Sequence, residues 1–458
     1  VQRTLKFAKY LARDGWRPIV WSADYVPQLP VDTTLLDDLP AEVEHHHTPT
    51  WDPTRRIERI MAPLKKRMRH RPVLLSKIDG IEWRLGRFAR WIMARSVPDD
   101  QVIWAMRSYP HLRRIVRRER VQAIYSTFSP ASNHLLAWKL KRATGLPWVA
   151  DFRDLWTDDC RYAGRWWWRR LLDRRLETRF LRNADIVLAT SDEQRDILSA
   201  RVPAGRAKFH TITNGVDFED FARLRAEGKA GEDKTNRDKF NLTYVGQLRE
   251  SQAIEDCFEG ILRFLNRYPR HRKRFAFRVV GQISARLRKR AADLGLPMTA
   301  TGYLRHDQAL REMLRADLLL LPSLVGGHAA AVIPGKVFEY LGSGRPILLI
   351  GEDDSTAARF VERLGGGICV PADADAIAAA LRTLWFAWRE GALPGGCDRS
   401  LLADYGRDAL ARRLERLLKQ LVDPAGAPTS VSARGVRYED ASGVGASTEV
   451  DRRIKVAT

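Results

Sequence analysis

Short apolar runs alternate with amphipathic stretches along most of this 458-residue chain. That alternation restricts the fold to repeated strand–helix–strand units, because parallel strands need crossover connections about a dozen residues long or more. Arg17–Trp21, Gln122–Ser126, Leu146–Asp151 and Ala184–Thr190 read as strands in the first half. Asn241–Val245, Phe275–Val280, Leu318–Leu321 and Pro346–Ile350 do so in the second. Leu5, Ala8, Leu11 and Ala12, with Phe7 one turn before Leu11, mark a helix that feeds the first of these strands. Such a helix is the second half of a βαβ unit, so the first strand and its loop are expected to be missing or upstream. The fold class predicted is α/β, with two Rossmann-like doubly wound domains facing across a cleft.

The polar stretch 202–208 puts the domain boundary at about 205, giving domains 1–205 and 206–400. Residues 53–110 break the alternation as a basic helical insertion with Trp83, Trp91 and Trp104. A helix follows at 401–422. The tail 423–458, rich in Gly, Ala, Ser, Thr and charge, lacks apolar periodicity and is expected to be disordered.

Lys and Arg number 78 against 56 Asp and Glu, a net charge of +22, which favours anionic partners. Cys160, Cys257, Cys369 and Cys397 lie far apart, without the spacing of a zinc site or disulfide framework. No run reads as a spanning helix or signal peptide, so the expected location is cytoplasmic.

Three segments carry chemistry. In Val332–Pro346, Pro334 suits a first helical position, and Gly335 and Lys336 would stand at a helix N-terminus, where free N–H groups attract anions such as a diphosphate. Glu339, one turn on, could accept hydrogen bonds from vicinal hydroxyls; equally, Lys336 and Glu339 could pair with each other. In Tyr244–Arg249, a strand runs into Gly246, which permits close approach to phosphate, and Arg249 could add a contact; an ordinary turn reads the same way. In the first half, Tyr125–Pro130 leads into a helix bearing Asn133 and His134. Val149–Trp156 crowds Asp151, Arg153 and Asp154 at a strand end, fitting either a site or a network bracing a loop. His134 also fits a structural role. Asp373 and Asp375 read as a helix N-cap, and no metal is expected.

In this order, "ADFRDLW", "TNGVDFEDF", "LTYVGQL", "RADLLLLPS" and "IPGKVFEYLGSGRPIL" resemble a family 4-type retaining glycosyltransferase of the GT-B fold, over nearly the whole chain to about Val422. The resemblance implies a nucleotide-sugar donor bound mainly by the second domain, an acceptor bound mainly by the first, and usually no metal. It implies Glu339 on the donor ribose, Gly246 and the Gly335-Lys336 turn on the diphosphate, Arg249 on the phosphate charge, and Tyr303 near the base. Ala331 stands where the family often has a first Glu of a Glu-x7-Glu pair, with His328 as a partial substitute. Thr127 stands where some members carry an important His, leaving Asp151, Arg153, Asp154 and His134 to bind and orient the acceptor. With no carboxylate nameable as nucleophile, the donor phosphate itself would accept the acceptor proton.

Between Trp51 and Asp100 there are 13 Lys or Arg against 6 Asp or Glu, and Arg165–Arg170 carries three tryptophans. Tryptophan with arginine fits a membrane interface, and so a lipid-linked acceptor, as well as a solvated basic face. A nucleic-acid role is the alternative of another class, without a recognised motif to support it. A sugar-nucleotide epimerase of the same fold would need an acid–base pair that the sequence does not display.

Overall fold

The apolar runs become two parallel sheets in the computed structural model, which describes residues 2–24, 36–68, 70–93, 95–159, 162, 165–227, 238–323, 330–423 and 455–457. The early strands are β1 (Ile19–Ala23), β2 (Glu44–Thr48), β3 (Ile124–Phe128), β4 (Trp148–Phe152), β5 (Ile186–Ala189) and β6 (Phe209–Thr211). The later ones are β7 (Phe240–Val245), β8 (Phe275–Val280), β9 (Met298–Ala300), β10 (Leu318–Pro322), β11 (Ile347–Ile350), β12 (Gly367–Val370) and β13 (Lys455–Ala457). The first sheet runs β2-β1-β13-β3-β4-β5-β6 and the second β12-β11-β10-β7-β8-β9. The central strands are buried on both faces, as Leu-, Val- and Ile-rich runs require.

Strands β1, β2, β3 and β13 differ from the sequence reading. β1 and β3 each run two residues further than their apolar runs, because the pairing register continues through Ser22-Ala23 and Thr127-Phe128. β2, Glu-His-His-His-Thr, has no apolar alternation; it is an edge strand whose strand partner is β1. Within the tail expected to be disordered, Lys455–Ala457 pairs in parallel with both β1 and β3, filling the position for which the alternation supplied no strand. The intervening tail, 424–454, lies outside the described residues.

The helices before β7 are α1 (Gln2–Arg13), α2 (Pro53–Arg67), α3 (Pro72–Met93), α4 (Val102–Arg118), α5 (Ala131–Thr144), α6 (Trp167–Asn183), α7 (Asp192–Ser199) and α8 (Phe218–Ala226). Those after it are α9 (Gln252–Arg267), α10 (Ala285–Asp293), α11 (His306–Arg315), α12 (Gly335–Ser343), α13 (Thr356–Arg363), α14 (Ala374–Arg389), α15 (Arg399–Leu402) and α16 (Arg407–Val422). The final helix expected at 401–422 is thus split by a turn at 403–406. After that turn, α16 returns to the first sheet, where Leu410, Leu414 and Leu418 pack with Phe7 and Leu11 of α1. Asp373 caps α14, accepting from the N–H groups of Asp375 and Ala376, as its sequence context predicts.

Several contacts join the facing halves. Ser191, at the end of β5, donates its hydroxyl to the Ala331 carbonyl at 2.7 Å. Arg359 reaches Glu193 at 2.8 Å. The carboxyl edges of the two sheets therefore border one cleft, the arrangement that doubly wound sheets use for ligands.

Candidate active site

The second sheet builds its part of the cleft from glycines. β7 ends at Gly246 (φ +130°) and β8 at Gly281 (φ +138°). A Cβ on Gly281 would stand 2.1 Å from the Gly246 carbonyl oxygen, so the two strand ends touch backbone to backbone. A Cβ on Gly246 would stand 2.2 Å from Lys336 Nζ, in the space the lysine crosses. Beyond these turns lies a cavity of about 610 Å³, lined by Arg249, Gln282, Arg288 and Gly302 among others. Arg249 holds the Gln247 side chain at 2.9 Å, and Tyr303 stands exposed one residue beyond Gly302.

The segment Val332–Pro346 folds as anticipated, into a loop and the short helix α12. Tyr340 locks that helix to the sheet: its hydroxyl accepts from Val245 N–H at 2.8 Å and donates to the Leu320 carbonyl at 3.3 Å. Gly335 opens the helix with room to spare, since a Cβ there would meet Asn214 only at 3.8 Å. Lys336 donates to the Tyr244 hydroxyl at 2.8 Å and does not pair with Glu339. Glu339 instead turns inward, lining a narrow cavity with Gln2, His306 and Arg407. The Gly246 turn, the Gly281 turn, Lys336 and the start of α12 thus converge, and N–H groups and an ammonium at one strand edge suit a diphosphate. His328 lies outside the described residues.

The first-half candidates separate into three environments. Asp151 is fully buried and saturated: Arg3 grips it from Nε at 2.8 Å and Nη2 at 3.0 Å, Tyr125 donates at 2.5 Å, and Thr127 at 3.4 Å. His134 sits apart in the aromatic core, its Nδ1 2.7 Å from the Ser126 hydroxyl and its ring 4.5 Å from that of Phe152. Burial pushes the His134 imidazole down to about 3, so it stays neutral. Arg153 and Asp154 are partly exposed on the loop after β4, where Arg153 reaches the Ser129 carbonyl at 3.4 Å. Of the five, only Arg153 and Asp154 present side chains to solvent on the cleft edge.

Sequence reasoning missed a cationic group on α1. Lys6 Nζ lies 2.6 Å from both Asp38 and Asp217 and 3.0 Å from Asp220; Lys9 Nζ lies 3.0 Å from Asp38 and 2.9 Å from Glu219. Burial opposes the charge on Lys6, but Asp220 and Asp217 outweigh it and raise its pKa. Asp38, Asp217 and Asp220 form the one three-carboxylate group compact enough for a metal ion among the described residues. Lysine ammonium groups already neutralise it. His306 stands 3.5 Å from Asp220; burial lowers its pKa, and Asp220 with Glu339 more than reverses this. Arg407, almost fully buried beside Glu339, is held down to about 10 by burial. The α1 pattern gave amphipathicity without showing that its polar side meets the second half. Gly281 was legible: Val279-Val280-Gly281 repeats the strand-then-glycine signal of Gly246.

Residues 67–220 match the model of Glycosyltransferase Family 4. The chain is 25% identical over 185 residues to the putative teichuronic acid biosynthesis glycosyltransferase TuaH of Bacillus subtilis (strain 168), covering 39% of this chain. The match spans 44% of that relative's length. Among solved structures, Anabaena HepE in complex with UDP-glucose superposes with a TM-score of 0.58 at 14% identity, covering 92% of this chain and 96% of that one. An α,α-trehalose-phosphate synthase (UDP-forming) from Burkholderia vietnamiensis gives 0.60 at 13% identity, covering 89% and 100%. The fold these structures share with the chain is GT-B.

Proposed function

We propose that the chain, whose residues 67–220 match the model of Glycosyltransferase Family 4, is a retaining transferase moving a sugar from a nucleotide-sugar donor to a saccharide or lipid-linked acceptor. In this reading residues 206–400 form the donor domain and 1–205 the acceptor domain. The observation that carries it is the convergence of Gly246, Gly281, Lys336 and the α12 N-terminus, with Glu339 one turn further along the helix. Donor diphosphate lies against the two glycine turns, Glu339 accepts from the ribose hydroxyls, and the base occupies the cavity lined by Arg249 and Gln282, near Tyr303. HepE's complex with UDP-glucose supports a uridine nucleotide as the first donor class to test.

As the glycosidic bond to the leaving diphosphate breaks, negative charge grows on the phosphate. Lys336 and backbone N–H groups stabilise that charge from fixed positions. The departing phosphate oxygen takes the proton of the attacking acceptor hydroxyl, on the face the leaving group vacates. Arg153 and Asp154 orient the acceptor, whereas Asp151 and Thr127 hold the strand ends in place. The likeness to TuaH supports a cell-surface polysaccharide or glycolipid product. A peripheral position on the inner face of the cell membrane completes the reading; no described helix is long and apolar enough to cross one.

The test is thermal stabilisation by a panel of nucleoside diphosphates and their sugars, with and without magnesium. Binding to the native state raises its stability by mass action, so the account expects a selective shift for one base. Equal, negligible shifts across the panel would count against it.

A further inference from the structure

Helix α3 carries an apolar stripe that no described residue covers. Ile81, Leu85, Phe88 and Ile92 recur at helical spacing and are all exposed, Phe88 at 59%. A buried face should carry such a stripe; here Gly86 and Ala89 take the buried positions. Trp91, 52% exposed, stacks on Phe88 with ring centres 5.9 Å apart. Arg95 lies over Trp91 at 3.9 Å, and Arg87 over Trp83 at 4.7 Å. Trp166 and Trp167, at the start of α6, are 70% and 75% exposed.

The two aromatic groups are neighbours. Arg169 of α6 donates to the carbonyl of Arg95 at 3.1 Å and to that of Pro98, fixing the start of α6 against the end of α3. Asp99 accepts from the N–H and hydroxyl of Ser132, at the start of α5. Helices following parallel strands begin at the carboxyl edge of the sheet, so the end of α3 and the start of α6 border the edge that carries Arg153 and Asp154.

We propose that this α3–α6 surface docks the protein on an anionic lipid bilayer, with Phe88, Ile92, Trp91, Trp166 and Trp167 entering the interface. Charge selects this occupant. A second copy seated by a two-fold axis would set the patch bearing Arg84, Arg87 and Arg95 against its own copy, cation facing cation, whereas an anionic leaflet supplies the opposite sign. Tryptophan and arginine stems suit the headgroup boundary, with the charged tips in water. The inference rests on the transferase reading only in bringing the cleft beside a lipid-linked acceptor; the surface itself is independent of transfer.

Vesicle flotation without any sugar donor keeps the two apart. The full chain and the variants Phe88→Ser/Ile92→Ser and Trp166→Ser/Trp167→Ser are floated with phosphatidylcholine vesicles, with and without phosphatidylglycerol. Binding is expected only with phosphatidylglycerol, weaker by about tenfold or more in each variant, with tryptophan fluorescence quenched by brominated lipid. Unchanged thermal stability of the variants reports intact folding. Equal flotation of parent and variants would overturn the proposal. So would a parent that is dimeric by light scattering, becomes monomeric on substitution, and ignores the vesicles. Failure of the nucleotide panel with flotation intact would sink the transferase reading alone.

Discussion

Arg3 and Asp151 form a two-pronged ion pair with both side chains almost wholly buried, and Arg3 spends its remaining donors on the Ile212 and Thr213 carbonyls. The first helix thereby ties the end of β4 to the segment that leads into the second half. Asp151→Ala would leave the Arg3 charge buried without its partner, at a cost of about 3–5 kcal/mol. Urea unfolding should record that loss, and nucleotide affinity of the remaining folded protein should stay unchanged. A stable variant deficient only in transfer would return Asp151 to the acceptor site.

Gly281 meets Gly246 at the bottom of the proposed phosphate site, where a Cβ strikes backbone that cannot swing away. Gly281→Ala should therefore destabilise the protein by at least about 1–3 kcal/mol and weaken nucleotide binding together with it. Gly335→Ala, with open space before it, should leave stability nearly unaltered. Melting curves of the two variants check both outcomes.

His306 gives the protein a predictable response to pH. Its pKa is raised above the ordinary 6.5, with burial and nearby Lys6 opposing and Asp220 with Glu339 deciding the outcome. A raised folded-state value means that the stabilisation is fully present below 6.5 and disappears as pH climbs through the folded value. The gap in melting temperature between parent and His306→Asn should accordingly be wider at about pH 6 than at about pH 9. An equal gap at both would show that the imidazole charge is not involved.

His134 belongs to the core in this account. His134→Leu forfeits one hydrogen bond to Ser126, about 1 kcal/mol, and should keep its transfer rate within about twofold of the parent. A large loss of rate at unchanged stability would contradict that assignment.

Most of the second half was legible in the sequence because its signals are local. A strand followed by glycine at Val245-Gly246, and Pro334 before a short amphipathic run, specify their own backbone. The first half was harder. Asp151, Arg153 and Asp154 lie within four residues of one another, yet β4, buried on both faces, encloses the first while the loop exposes the other two. Nothing within the segment reveals that Arg3, 148 residues away, satisfies Asp151. Likewise β2 is held by pairing with β1, which the His45–His47 run does not announce. The insertion that holds α3 was legible as basic and helical, but only the fold shows that α3 carries an exposed apolar stripe.

The central claim is that the second half holds the donor through α12 and the β7 turn. Calorimetric titration of the preferred nucleoside diphosphate into the parent, Glu339→Ala, Lys336→Ala and Arg153→Ala tests it most directly. Hydrogen bonds involving charged groups contribute about 1.5–3 kcal/mol, so Glu339→Ala and Lys336→Ala should each weaken binding by about 10- to 100-fold, with Arg153→Ala unaffected. Equal losses in all three, or a loss in Arg153→Ala alone, would contradict the account.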